Sequence, residues 1–392
     1  MLKKSYRHNI VWLGATEFFS FFGITSFWIL FLTQHGMTLW QVGILESIFH
    51  TTSLLSEVPS GMLADRFHYR TNLYLGRIMS IISCLMMLFG QGNFWIYALG
   101  MVFNAWSYNF DSGTSSAMLF ESAKEAGLEN RFLKISSFLS GTAEATRTMG
   151  TVIAGVFVHG LLDVTYVIQI AFSLLVLFFI FMMKEPSVKE ERDQPASLKN
   201  IIKTVIKVFR RTPRLLYWLM MSQLICVFMC MFYFYYQNEL ESLDSWQISL
   251  VMLISSGVNI GAVWLASHLG ENQKASRLLP ILVALTGLLY IFSFTKIPMV
   301  YVLIYLLTDG IYAFFLPIFN NDLQNQIPTD VRATMLSVCS MFFSLFMILV
   351  FPMTGLFIDY FGFSQTFLGL GSVLAVLGMI LICGYSYFSN DR

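Results

Sequence analysis

Stretches of about twenty apolar residues recur along the whole 392-residue chain, and this recurrence limits its possible folds more than any other feature. A hydrocarbon core of about 30 Å is crossed by roughly 20 residues of α-helix. Within it, every peptide group must find its hydrogen bond inside a helix or a closed barrel. The stretches fall near 9–32, 40–63, 72–91, 94–118, 135–160, 164–183, 214–237, 246–268, 277–294, 299–320, 332–357 and 363–388. The expected fold class is therefore an all-α membrane protein with twelve transmembrane helices. They form a six-helix bundle over 1–183 and a second over 214–392, joined by a polar linker, 184–213.

Composition agrees. Apolar residues make up 56% of the chain and charged residues only 12%, against about 25% charged in a soluble domain. The mean hydropathy is +0.66. A soluble chain would have to expose that excess as large apolar patches. A net charge of +1, with no basic tail, offers no field for nucleic acid, and none is expected as a partner. The five cysteines (Cys84, Cys226, Cys230, Cys339, Cys383) lie in apolar segments without the spacing of a zinc site. Cys226 and Cys230 are read as small buried hydrophobes. No metal and no cofactor is expected.

Lysine and arginine set the expected orientation. With the N-terminus inside, 22 of the 24 basic residues fall on or beside cytoplasmic loops; Lys296 and Arg147 are the exceptions. Both termini are expected to be cytoplasmic, and the 9–32 stretch is read as a first span rather than a cleaved leader. The linker sets Lys199, Lys203, Lys207, Arg210 and Arg211 among Ile201, Ile202, Val205, Ile206 and Phe209, the pattern of a basic amphipathic helix on an anionic membrane surface.

Ionisable groups within spans are costly, about 2.5–3.5 kcal/mol even on the gentler scale, so each one marks a polar cavity or a partner. In span two, Glu46, His50, Ser53 and Glu57 share one helical face. Glu46 with His50 reads either as a proton-accepting pair or as a wet acid beside a packing histidine. Span four carries Asn104, Tyr108, Asp111 and Ser115 on one face. Span five carries Gly141, Glu144, Thr148 and Thr151, with Arg147 one turn from Glu144. Arg147 is read as the one basic residue deep in a span, its partner being Glu144, Asp111 or Glu17. In the C-terminal half, Asp309 is flanked by Tyr305 and Tyr312, with Gln223, Gln237, Asn259 and Asn320 as further polar lining. The 38 Phe, 17 Tyr and 22 Met suit an adaptable apolar cavity.

The second span closes as Glu57-Val-Pro-Ser-Gly61-Met-Leu-Ala-Asp65-Arg66-Phe-His68-Tyr69-Arg70. This resembles the signature of the major facilitator superfamily, G-x-L-x-D-R-x-G-R-[KR], with His68 and Tyr69 as departures. Ser112–Ser122 and Pro328–Ser337 resemble stretches of the bacterial drug-efflux branch. The resemblance implies two six-helix halves rocking about a mid-membrane site, and a gating cluster of Gly61, Asp65, Arg66 and Arg70 with Glu121. It also implies that spans one, two, four and five line a cavity where Glu17, Asp111, Glu144 and Arg147 meet. Two family features of proton-coupled drug antiporters are missing. Asn109 stands where their span-four arginine falls, and span five has no Gly-Pro pair.

The expected function is proton-coupled export of an amphipathic small molecule, as a monomer in a bacterial plasma membrane. Glu144, Asp111, Glu17 or Asp309 would alternate between proton and substrate. Uptake of a sugar, peptide or metabolite is the alternative within transport, and a non-transporting receptor or scaffold the alternative outside it. No reacting constellation of an enzyme is found.

Overall fold

A computed structural model describes residues 5–66, 68–111, 113–186, 213–270, 273–326 and 332–390. The linker helix expected within 184–213 and the start of the Pro328–Ser337 stretch lie outside the described residues.

Helices run in the order α1 (Tyr6–Ser20), α2 (Trp28–Gln34), α3 (Leu39–Arg66), α4 (Tyr69–Phe89), α5 (Phe94–Asp111), α6 (Thr114–Glu125), α7 (Phe132–Ala154) and α8 (Leu162–Met182). After the linker come α9 (Pro213–Tyr235), α10 (Ser245–Leu269), α11 (Ala275–Ile291), α12 (Pro298–Gln326), α13 (Arg332–Phe361) and α14 (Phe363–Asn390). There is no strand among the described residues. Every expected span is occupied by helix. Among the described residues, eight helical segments, on α4 and from α8 to α14, are long and apolar enough to cross a membrane. Spans one, two, four and five, which carry Glu17, Glu46, Asp111, Glu144 and Arg147, fall outside that set.

Two spans expected to be continuous are broken. Span one stops at Ser20 and resumes at Trp28. Between the two helices, Gly23 lies so close to α7 that a Cβ on Gly150 would collide with its backbone. Ser26 Oγ ties the bend down, donating to Gly23 O at 2.7 Å and lying 2.7 Å from Thr151 Oγ1. Span four breaks at Gly113, whose φ of +81° is left-handed, a conformation that costs residues with a Cβ about 1–2 kcal/mol. The single helical face drawn through Asp111 and Ser115 is thereby split between α5 and α6.

The chain divides into two compact units. Unit 1 holds residues 1–37 and 48–200; unit 2 holds 38–47 and 201–392. Unit 1 has a core of Leu13, Leu73, Met118, Leu119, Leu139, Val176 and Ile180. At its edge, the Glu185 carboxylate accepts from the backbone N–H groups of Tyr69 (2.7 Å) and Arg70 (3.1 Å), capping the start of α4. The Arg70 guanidinium donates to the Ile180 and Phe181 carbonyls at the end of α8, each at 3.1 Å. A cation is favoured at a helix C-terminus and an anion at an N-terminus, so both contacts run with the helix dipoles.

Unit 2 is held by an aromatic cluster. Phe232 packs on Tyr290, Phe363 and Phe367 with ring centroids 4.8–5.3 Å apart. Tyr290 satisfies its buried hydroxyl by donating to Met229 O at 2.7 Å. The first ten residues of this unit include the start of α3. There the Asp359 carboxylate, on α13, accepts from the N–H groups of Leu39 (3.1 Å) and Trp40 (2.8 Å). Both donors belong to the first turn, where the helix itself supplies no acceptor. Deeper along the same pair, Ser47 Oγ donates to Ile348 O at 2.8 Å.

Candidate intramembrane polar sites

Unit 1 gathers two acids and a cation. Glu17, on α1, accepts from Ser115 Oγ at 2.6 Å. Ser115 is the second residue of α6, so this bond depends on the turn at Gly113. Asp111 ends α5, and its Oδ2 lies 3.5 Å from Arg77 Nη2; the two side chains are 26% and 7% exposed. Arg77 reaches Asp111 because α4 and α5 pack closely at Gly76, where a Cβ would stand 3.3 Å from Phe110 Cβ and Ser107 O. Both charges also lie near enough to Glu17 to act on it electrostatically. Glu17, Asp111 and Arg77 therefore form one charged cluster. Arg77 Nε is buried and has no hydrogen-bond partner among the described residues.

Arg77 joins Arg147 as a second basic residue well inside a helix. It lies eight residues into α4, about 12 Å along the axis, whereas the sequence groups it with the anchors around Arg70. Its only signal was position: a charge two turns inside an apolar run. Arg147 is instead 59% exposed and clasps Glu144, itself 62% exposed, with Nη2 2.7 and 2.8 Å from the carboxylate oxygens. Of the three acids considered for Arg147, its own helix neighbour is the partner. Asp111 has gone to Arg77 and Glu17 to Ser115.

Asn109, at the place where the resemblance would put an arginine, is a structural tie. It accepts from Ser53 Oγ at 2.9 Å and donates to Ser53 O (2.9 Å) and Ser56 Oγ (2.7 Å), locking α5 to α3. Asn104 is exposed on α5, as is Tyr108, whose ring lies 6.4 Å from Phe49. His50 is half-buried beside the Phe49 ring. Glu46, one turn earlier, falls within unit 2 and is half-buried there.

Among the described residues, the Arg70 guanidinium is held by the Ile180 and Phe181 carbonyls at the end of α8. Glu121 is half-buried and its Oε2 has no hydrogen-bond partner among the described residues. The side chains of Gly61, Asp65 and Arg66, at the end of α3, lie outside the described residues.

In unit 2 a further acid is bonded across helices. Asp309 Oδ2, on α12, accepts from Ser255 Oγ (2.7 Å) and Asn259 Nδ2 (2.8 Å), both on α10. One turn away, buried Tyr305 stacks on Tyr236 at 5.0 Å and on Tyr233 at 5.8 Å. Tyr312 is half-buried on the same helix, and Gln223 is buried on α9. Ser255 and the Tyr233–Tyr236 pair were absent from the sequence reading. Their side chains are ordinary in a membrane helix, and only the pairing of α10 with α12 singles them out.

Long apolar helices that shelter acids bonded across helices define a multi-pass membrane protein of the transporter type. The chain belongs to the major facilitator superfamily, whose family model matches residues 11–350. An uncharacterized MFS-type transporter, YxaM of Bacillus subtilis (strain 168), is 26% identical over 196 residues. That match covers 48% of this chain and 47% of YxaM, so it spans about half the length of that relative. The fold is similar to the crystal structure of the nucleoside transporter NupG, with a TM-score of 0.76, 13% identity, and coverage of 96% of this chain and 99% of that one. It is also similar to an inward-facing bacterial homologue of the human lysosomal transporter Spinster, with a TM-score of 0.71, 14% identity, and coverage of 100% and 99%. A D-xylose–proton symporter gives a TM-score of 0.66 at 12% identity, covering 96% and 97%.

Proposed function

We propose that the chain is a proton-coupled transporter that exports amphipathic organic molecules by alternating access across a bacterial plasma membrane. The observation that carries this reading is the cluster of Glu17, Asp111 and Arg77 gathered from α1, α5 and α4. Acids within membrane spans that face protein rather than lipid mark ion pathways. Glu17 is the proton carrier in this reading. Among the described residues its hydrogen bond comes from a hydroxyl, which can turn to donate to the carboxylate or accept from the carboxyl group. Asp111 pairs with Arg77 at 3.5 Å and completes the cluster beside Glu17. Asp309, with two neutral donors, is a second candidate in unit 2. Glu144 loses its place as first candidate, because the exposed Arg147 already neutralises it on the same helix.

Uptake by symport is the second reading, favoured by the likeness to transporters whose names specify a nucleoside or D-xylose with a proton. The gating role of Gly61, Asp65 and Arg66 belongs to either direction. The test is movement of a panel of lipophilic dyes, nucleosides and sugars in cells with and without the protein, before and after an uncoupler. Dye loss that the uncoupler abolishes supports export. Accumulation of a nucleoside or sugar that the uncoupler abolishes replaces export with uptake. Movement indifferent to the uncoupler removes proton coupling.

A further inference from the structure

Unit 1 carries a groove of about 1000 Å³ running between α1 and α7. Its floor forms where Gly14 passes Leu139, a Cβ on Gly14 being 2.9 Å from Leu139 Cδ2. Small side chains at Gly14 and Ala15 leave the hollow, and Phe18 and Phe138 wall it. The two charges that touch it, Arg131 and Lys134, are both cations and both exposed. They stand together where α7 begins, while the lining on α7 continues to Thr142. From Arg131 to Thr142 the groove descends eleven residues, about 16 Å. One end is thus cationic and the rest apolar.

We propose that this groove holds an anionic phospholipid of the inner leaflet, its headgroup between Arg131 and Lys134 and one acyl chain along α1 beneath Phe138. The chemistry is that of a basic pocket between membrane helices on the cytoplasmic side. The orientation follows from the positive-inside pattern of the chain. Charge complementarity selects an anionic headgroup over a zwitterionic one. The depth selects a long chain over a free phosphate, which would leave the apolar two-thirds of the groove wet. The assignment concerns binding alone and does not rest on transport, so its failure would leave the transport reading intact.

The experiment is thermal unfolding of the full chain in detergent micelles doped with phosphatidylglycerol, with phosphatidylcholine, or with inorganic phosphate. Phosphatidylglycerol should raise the midpoint well beyond phosphatidylcholine, and phosphate alone should not. An Arg131→Gln/Lys134→Gln variant should weaken phosphatidylglycerol binding roughly thirtyfold, about fivefold per cation, and leave the phosphatidylcholine response unchanged. Ala15→Phe, which keeps the cations and fills the hollow, should also lose the phosphatidylglycerol response. Equal stabilisation by the two lipids, an equal response to phosphate, or a full phosphatidylglycerol response in both variants would overturn the assignment. The variants' midpoints without lipid report whether they fold.

Discussion

Arg77 and Asp111 form an ion pair between α4 and α5, with Nη2 3.5 Å from Oδ2 and the guanidinium nearly sealed from solvent. Removing one partner of a buried pair leaves the other uncompensated, at a cost of about 3–5 kcal/mol, whereas replacing both with apolar groups is often close to neutral. Arg77→Met and Asp111→Leu should each lower the unfolding midpoint of the purified protein sharply. The double variant should recover most of the loss. Additive losses in that double-mutant cycle would mean that the two side chains do not depend on each other.

Gly113 supports the same cluster from the backbone. Its φ of +81° starts α6 in the direction that brings Ser115 to Glu17. Gly113→Ala should cost about 1–2 kcal/mol of stability and reduce transport as well, because the Ser115 donor shifts. Ser115→Ala separates the two effects: it removes the hydrogen bond and leaves the turn unstrained. If Gly113→Ala lowers stability while transport stays intact, the turn is structural only.

Asp359 caps the start of α3 from α13, with its two oxygens accepting from Leu39 and Trp40. Loss of a helix-capping oxygen typically costs about 1 kcal/mol. Asp359→Ala should therefore speed amide exchange at Leu39, Trp40 and Gln41, with little change in the aromatic cluster around Phe232. Hydrogen–deuterium exchange read at peptide resolution checks this, and unchanged protection at those amides would contradict it.

Asp309 differs from Asp111 in having neutral donors. Asp309→Asn keeps an oxygen for Ser255 and Asn259 and should fold normally. Asp309→Leu strands both donors, each costing about 1–3 kcal/mol when buried. A comparison of unfolding midpoints tests the difference. If Asp309→Asn also loses its proton-driven transport while folded, the coupling site extends into unit 2.

The helices were legible because a bilayer imposes one length and one composition on each crossing. Their interruptions were not. Asp111 and Ser115 share a face only if the helix runs through Gly113, and nothing in hydropathy forbids that. The break depends on a left-handed glycine, and its reward is a contact 98 residues away in sequence, at Glu17. The two arginines reversed places for a similar reason. Depth along a helix can be counted from the sequence, but the side of the helix that packs cannot. Arg147 lies deep in sequence and faces outward from its unit, while Arg77 lies nearer a helix end and is buried because Gly76 draws α5 in. The carboxylates themselves are legible in the sequence, since an acid in an apolar run stands out whatever it touches.

The most direct test of the account is gradient-driven transport by Glu17→Gln in energised vesicles, using whichever solute the panel shows to move, with solute exchange at equal pH as the control. The account predicts that exchange persists while accumulation driven by the proton gradient is lost. Accumulation equal to that of the unmodified protein would contradict it and take Glu17 out of the proton path.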